Sequence, residues 1–170
     1  GIDHQSLKTV NPKIITCSIS GFGDTEINRP AYDNLIQGYA GAMSITGTDK
    51  ENPVKSGIPI ADLGAGLYAV IGILSAIQSR EKNDSGEHVD ISMLDTQVSL
   101  LTYMATMHFL SGENPEPIGN QHMNHVPFNS YRTSDGFIQI GVVAEDFWPS
   151  LIEALDLRQL DTEENKLRIG

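Results

Sequence analysis

Gly57-Ile58-Pro59-Ile60-Ala61-Asp62-Leu63-Gly64-Ala65-Gly66-Leu67-Tyr68 opens the longest periodic segment of the chain. A proline-containing, extended lead-in runs into one carboxylate and then into apolar residues at helical spacing, the pattern of a helix start with Asp62 as N-cap. Two glycines, Gly64 and Gly66, follow at once. Glycine inside a helix costs roughly 1 kcal/mol against alanine. Their placement therefore implies close approach of the backbone by another helix or by a ligand. Read locally, a cap followed by packing glycines is the simpler account.

From Asp62 the periodicity predicts a helix to about Arg80, with Leu63, Leu67, Val70, Ile71, Leu74 and Ile77 as its apolar stripe. Gly64, Ala65, Ala69, Gly72 and Ala76 keep the other faces small, which predicts a helix buried on most sides. Upstream, Ile14 to Ser20 is rich in β-branched residues and reads as a buried strand ending in the Gly21-Phe22-Gly23-Asp24 loop. Downstream, His88 to Ser92 alternates as a second strand. Strand, helix and strand in this order predict a βαβ unit and a parallel sheet, hence an α/β fold. Helices are also expected over Tyr32 to Met43, and over Leu94 to Leu110 with Val98, Leu101, Met104, Ala105 and Phe109 in the core.

The composition changes between Ser111 and Phe128, where Pro115, Pro117, Gly119 and Pro127 crowd together. This predicts a large domain over 1–112, a linker over 113–128 and the start of a small α+β domain over 129–170. In that last part Asp135-Gly136 between alternating segments signals a hairpin, and Phe147 to Leu157 an amphipathic helix carrying Trp148, Leu151, Ile152 and Leu155. The closing run Asn165-Lys166-Leu167-Arg168-Ile169-Gly170 stops mid-pattern, and the opening strand lacks a preceding partner. Both ends are expected to continue in a longer chain.

A net charge of −11 argues against nucleic-acid binding through a basic face. No apolar run approaches the roughly 20 residues of a membrane-spanning helix, so no membrane partner is expected. Cys17 is the only cysteine, which excludes an internal disulfide, and its apolar-alternating context predicts burial. With no secretory leader visible at Gly1-Ile2-Asp3-His4-Gln5, a cytoplasmic location is expected. No phosphate-binding loop, paired-cysteine metal motif or nucleophile elbow occurs, so no metal is expected. His122 and His125 fall in the Pro/Gly-rich linker, where hydrogen bonding is the expected role, and His88 and His108 are expected to be structural.

Several stretches together resemble class III CoA-transferases, the family of formyl-CoA transferase, carnitine CoA-transferase and α-methylacyl-CoA racemase. They are Asn11 to Gly23, Arg29-Pro30-Ala31-Tyr32-Asp33, Gly38 to Gly47, Ile60 to Gly66, His88 to Asp95, Gly119-Asn120, Val126-Pro127-Phe128 and Asp135-Gly136. The resemblance runs in order along essentially the whole chain. Members are more than twice this long, so it implies the central part of a Rossmann-like large domain and an inactive piece when isolated.

The resemblance further implies that Asp62 is a catalytic nucleophile, passing through an anhydride and an aspartyl-CoA thioester. Bare backbone at Gly64 and Gly66 would leave room for the pantetheine arm, and free N–H groups would face developing oxyanions. Tyr32 stands where the racemases place a histidine. A phenol with an ordinary pKa near ~10 is a poor proton shuttle at neutral pH, which favours transfer over racemisation. Arg29, Lys50 and Lys55 are candidate cations for the CoA phosphates, although the family draws most such contacts from its N-terminal part. The implied partners are an acyl-CoA, as substrate rather than tightly bound cofactor, and a small carboxylic acid, with an interlocked homodimer at full length. The family's glycine-rich loop of the small domain is not evident after Phe128. A racemase or epimerase on the same scaffold and a non-catalytic CoA-binding piece are the competing readings.

Overall fold

The computed structural model describes residues 1–27 and 29–166, with the side chain of Lys166 left aside. The run Leu167–Gly170, expected to continue a pattern, lies outside the described residues. The chain divides into two compact units, one from Gly1 to Glu116 and one beginning at Pro117.

In the first unit, helix α1 (His4–Val10) leads into strand β1 (Thr16–Ser20). Helix α2 (Asp33–Tyr39) and a short 3-10 turn (Ala42–Ile45) follow, then helix α3 (Ile60–Asn83), strand β2 (His88–Ser92) and helices α4 (Met93–Ser99) and α5 (Tyr103–Ser111). β1 and β2 pair in parallel, with Thr16 opposite His88 and Ser20 opposite Ser92. The expected βαβ unit is present, and the mixed architecture is α/β.

Side chains alternate across this sheet. Val89 and Ile91 face α3, where a Cβ on Gly72 would meet Val89 Cγ1 at 2.6 Å. The opposite face carries a polar row. His88 bonds Thr16 Oγ1 through Nδ1 at 2.8 Å and Ser18 Oγ through Nε2 at 3.0 Å. Ser18 donates to Asp90 Oδ1 at 2.9 Å, and His4 bonds Thr16 at 2.8 Å. His88 is thus structural, as its place in a strand suggests.

Phe22, Ile36, Ala61, Ala65 and Met93 form the core that joins α2, α3 and α4. α3 buries its small side: Ala61, Gly64, Ala65, Ala69 and Ala76. Short side chains let neighbouring backbones come close, so this face wins the packing. The expected stripe does the reverse: Leu63, Leu67, Val70, Ile71 and Leu74 are exposed. The helix also starts two residues before Asp62 and continues to Asn83. By length and composition it is apolar enough to cross a membrane, which corrects the expectation that no run approaches that length. Alanines and glycines between the larger residues make up the run, and those small residues face α2, α4 and the sheet.

Three further expectations change. Cys17 is exposed, at the surface of β1. The helix expected from Leu94 to Leu110 breaks at Leu100–Thr102, where Thr102 has φ +50°. Ser99 Oγ donates back to Thr96 O at 2.7 Å, a local bond that competes with the helical ladder. α5 consequently buries none of its residues, and Phe109, expected in the core, is 82% exposed. The helix predicted over Tyr32 to Met43 is shorter, since Gly41 takes φ +80°.

In the second unit β3 (Phe128–Arg132) and β4 (Phe137–Gly141) form the expected antiparallel hairpin, closed by Thr133 N–H to Gly136 O at 2.9 Å. Helix α6 (Phe147–Ala154) buries Trp148 and Ile152 with Val142. A 3-10 turn (Arg158–Leu160) and helix α7 (Glu163–Lys166) end the described chain.

One glycine tests the sheet directly. Gly86 donates to Pro12 O at 2.9 Å just before β2, and a Cβ there would fall 1.9 Å from Ile14 O. Backbone cannot yield as a side-chain tip does. Gly86→Ala is expected to destabilise the complete protein by about 1–3 kcal/mol in denaturant unfolding. An unchanged midpoint would contradict this packing of β1 against the β2 approach.

Candidate active site

Asp62 lies in the first turn of α3 with its side chain exposed. The expected N-cap role goes elsewhere. Pro59 occupies the cap position and offers no side-chain acceptor. The acceptor comes from α2: Asp33 Oδ1 receives the N–H of Ala61 at 2.9 Å and that of Asp62 at 3.4 Å. Asp33 Oδ2 accepts from Gln37 Nε2 at 2.6 Å, one turn along α2. Gln37 is 1% exposed, and its Oε1 accepts from Ser56 N–H at 2.8 Å. One carboxylate and one amide thus tie the lead-in loop and the helix start to α2.

This arrangement corrects a further expectation. The N–H groups at the start of α3 are not free to face an oxyanion. Ile60 donates to Ile58 O at 2.8 Å and Leu63 to Pro59 O at 3.0 Å, while Ala61 and Asp62 donate to Asp33. What remains favourable at Asp62 is an exposed side chain at the start of a helix.

The two glycines divide their work. A Cβ on Gly64 would lie 3.0 Å from Thr96 Cγ2 and 3.2 Å from Leu100 Cδ1, so Gly64 serves the contact with α4 rather than a ligand. A Cβ on Gly66 would meet nothing within 4 Å. Of the pair, only Gly66 borders open space.

Tyr32 is the cap residue of α2, directly before Asp33, and is 69% exposed. It is therefore carried on the same corner that holds Asp62's helix. Arg29 makes cation–π contacts with two rings, its guanidinium carbon 5.1 Å from the centroid of Phe22 and 4.7 Å from that of Tyr39. Phe22 belongs to the core cluster of Ala61 and Ala65, which anchors Arg29 on the layer that carries α3.

Lys55 is exposed and donates to Ser56 O at 3.1 Å, beside the residue that Gln37 holds. Lys50 pairs with Glu116 at 3.2 Å and is the weaker candidate for phosphate. In the same loop, the side chain and backbone N–H of Asn52 hold the Asp49 carboxyl below its usual range. Two clefts, of about 330 Å³ beside Cys17 and Arg80 and about 450 Å³ between the hairpin and α6, include neither Asp62 nor Tyr32 among their lining residues.

Among the described residues no group of three or more His, Cys, Asp or Glu is placed to hold a metal ion. His122 and His125 stack at 4.5 Å, and His122 Nδ1 accepts from Asn124 N–H at 3.1 Å. Asp33 and Gln37 are the site residues that periodicity and motif spacing did not single out. Their only local signal is an acid and an amide four apart at a helix start, a pairing that faces one side of a helix.

Several similar proteins are named as CoA-transferases. A succinate–glutarate CoA-transferase of Agrobacterium fabrum is 35% identical over 176 aligned positions, covering 100% of this chain and 44% of the relative. A succinyl-CoA:mesaconate CoA-transferase of Haloarcula marismortui is 33% identical, covering 94% and 42%. A CAIB/BAIF family protein from Brucella suis matches in structure with a TM-score of 0.85 at 34% identity, over 98% of this chain and 46% of that one. The chain thus spans less than half the length of these relatives. The family model for CoA-transferase family III matches residues 1–168. With the α/β fold and the Asp62 corner in place, that match along nearly its whole length makes this chain a member of CoA-transferase family III.

Proposed function

We propose that this chain carries the nucleophile of an enzyme that moves CoA from an acyl-CoA thioester to a free carboxylic acid, with Asp62 as that nucleophile. The observation that carries this reading is an exposed carboxylate in the first turn of α3, its residue's backbone N–H bonded to Asp33, with open space at Gly66 one turn on. The Asp62 carboxylate attacks the thioester carbonyl and expels CoA thiolate, leaving a mixed anhydride. The thiolate attacks the aspartyl carbonyl, which releases the donor acid and forms an aspartyl-CoA thioester. The acceptor carboxylate attacks that thioester and expels the thiolate again. The thiolate then takes the acceptor's acyl group and frees Asp62, so no proton, electron or metal is consumed.

With the first-turn N–H groups engaged by Asp33 and the backbone, stabilisation of the oxyanions falls to side chains or to segments outside this sequence. Tyr32 is the described candidate, an exposed phenol one residue from Asp33. A phenolic O–H is a hydrogen-bond donor and lacks the imidazole chemistry of a proton shuttle, which supports transfer over racemisation. Arg29 and Lys55 would meet the anionic parts of the substrates. The relatives' names support a small dicarboxylic acid as one of the acids exchanged. A homodimer is part of the same reading, supported by the large apolar side chains that α3 leaves exposed.

Two measurements on the complete gene product test this. Asp62→Ala is expected to lower CoA transfer between dicarboxylates by on the order of 10³-fold or more, while the wild-type protein exchanges no α-proton of the acyl-CoA into deuterated water. Retained transfer in the variant would contradict Asp62 as the nucleophile, and rapid α-exchange without transfer would support the racemase reading. Gly66→Leu fills open space at a helix position where leucine is preferred to glycine. It is expected to raise KM for acyl-CoA at an unchanged or higher Tm. An unchanged KM would remove Gly66 from the substrate path.

A further inference from the structure

We infer that Asp33 is a positioning residue for the reaction, with Gln37 as its support. The inference rests on the proposed role of Asp62 and adds the group that sets its geometry. α3 lacks a cap of its own, because Pro59 has no side-chain acceptor. Its first N–H groups are instead satisfied from another helix, by Asp33 Oδ1 at 2.9 Å from Ala61 N and 3.4 Å from Asp62 N.

The second bond goes to the backbone of Asp62 itself, so a shift of Asp33 is a shift of the nucleophile's main chain. Asp33 is fixed in turn. Its other oxygen is held at 2.6 Å by Gln37, which is buried and anchored to Ser56 N–H at 2.8 Å. Tyr32 precedes Asp33 in the chain, so the same anchor sets the corner that presents the phenol. The arrangement joins both proposed site residues through one carboxylate 29 positions before Asp62.

A cap that served stability alone would leave the split between kcat and KM untouched. Positioning predicts a selective effect, since misplacing an attacking atom slows chemistry more than it weakens binding. In the complete enzyme, Asp33→Ala is expected to lower kcat by about tenfold or more, with KM for acyl-CoA within about twofold. Asp33→Asn keeps an acceptor oxygen for Ala61 N–H but turns its amide NH2 against the donating Gln37 Nε2, and is expected to recover part of that kcat. Hydrogen exchange at Ala61 and Asp62 should accelerate in Asp33→Ala and return toward wild type in Asp33→Asn.

An Asp33→Ala enzyme with kcat within twofold of wild type would overturn the inference. So would equal impairment of both variants with KM and Tm changing alongside kcat. Asp62→Ala separates the two readings. If it is inactive while Asp33→Ala is normal, positioning alone fails; if it transfers CoA normally, the nucleophile reading fails and takes the inference with it.

Discussion

The first unit is organised by one carboxylate bonding backbone across two helices. Asp33 Oδ1 meets the N–H groups of Ala61 and Asp62 where α3 has no acceptor of its own. Four N–H groups at a helix start lack partners within the helix, and leaving them unsatisfied in a packed setting is costly. Satisfying those of Ala61 and Asp62 from α2 stabilises the helix and also fixes the angle at which it leaves the loop. Gln37 extends the constraint into the interior, where its amide accepts from Ser56 while donating to Asp33. An unpaired amide at 1% exposure would carry a desolvation cost of roughly 1–3 kcal/mol, so this link resists removal from either end.

The rest of the unit follows from how closely α3 is approached. Its buried side is built from alanine and glycine, with Gly64 against Thr96 and Leu100, and Gly72 against Val89. Large side chains at those positions would push α4 and the sheet away and break the core of Phe22, Ile36, Ala61, Ala65 and Met93. The bulky apolar residues are displaced to the other side, where Leu67 and Ile71 stand exposed. Closeness at the core therefore leaves a greasy outer face on the same helix, and that face is why composition alone passes α3 as a membrane helix.

Much of this was legible in the residues. The β-branched run from Ile14 to Ser20 and the alternation of His88–Ser92 announce the parallel pair, and Asp135-Gly136 announces the hairpin. What was misread shares a cause: local pattern reports which residues are apolar, not which side a neighbour will occupy. Leu63 and Leu67 make the better stripe on paper, yet the small face is the one that packs. Gly64 and Gly66 look alike in sequence, and only the position of α4 separates them. Asp62 has the look of a cap because it precedes periodic residues; the helix begins earlier, and the cap lies far back at Asp33. No local rule links those positions, since the bond is made by tertiary packing. Cys17 and Phe109 were expected inside for their chemistry and lie outside because nothing in the described chain covers them.

The central claim is covalent chemistry at Asp62. The most direct measurement is peptide-mapping mass spectrometry of the complete enzyme, acid-quenched during turnover with the CoA thioester of a small dicarboxylic acid. The account predicts CoA attached to the peptide containing Asp62, through its side-chain carbonyl, and absent from the same peptide in Asp62→Ala. CoA on a different residue, or transfer that proceeds with no enzyme-bound CoA at any time, would contradict it.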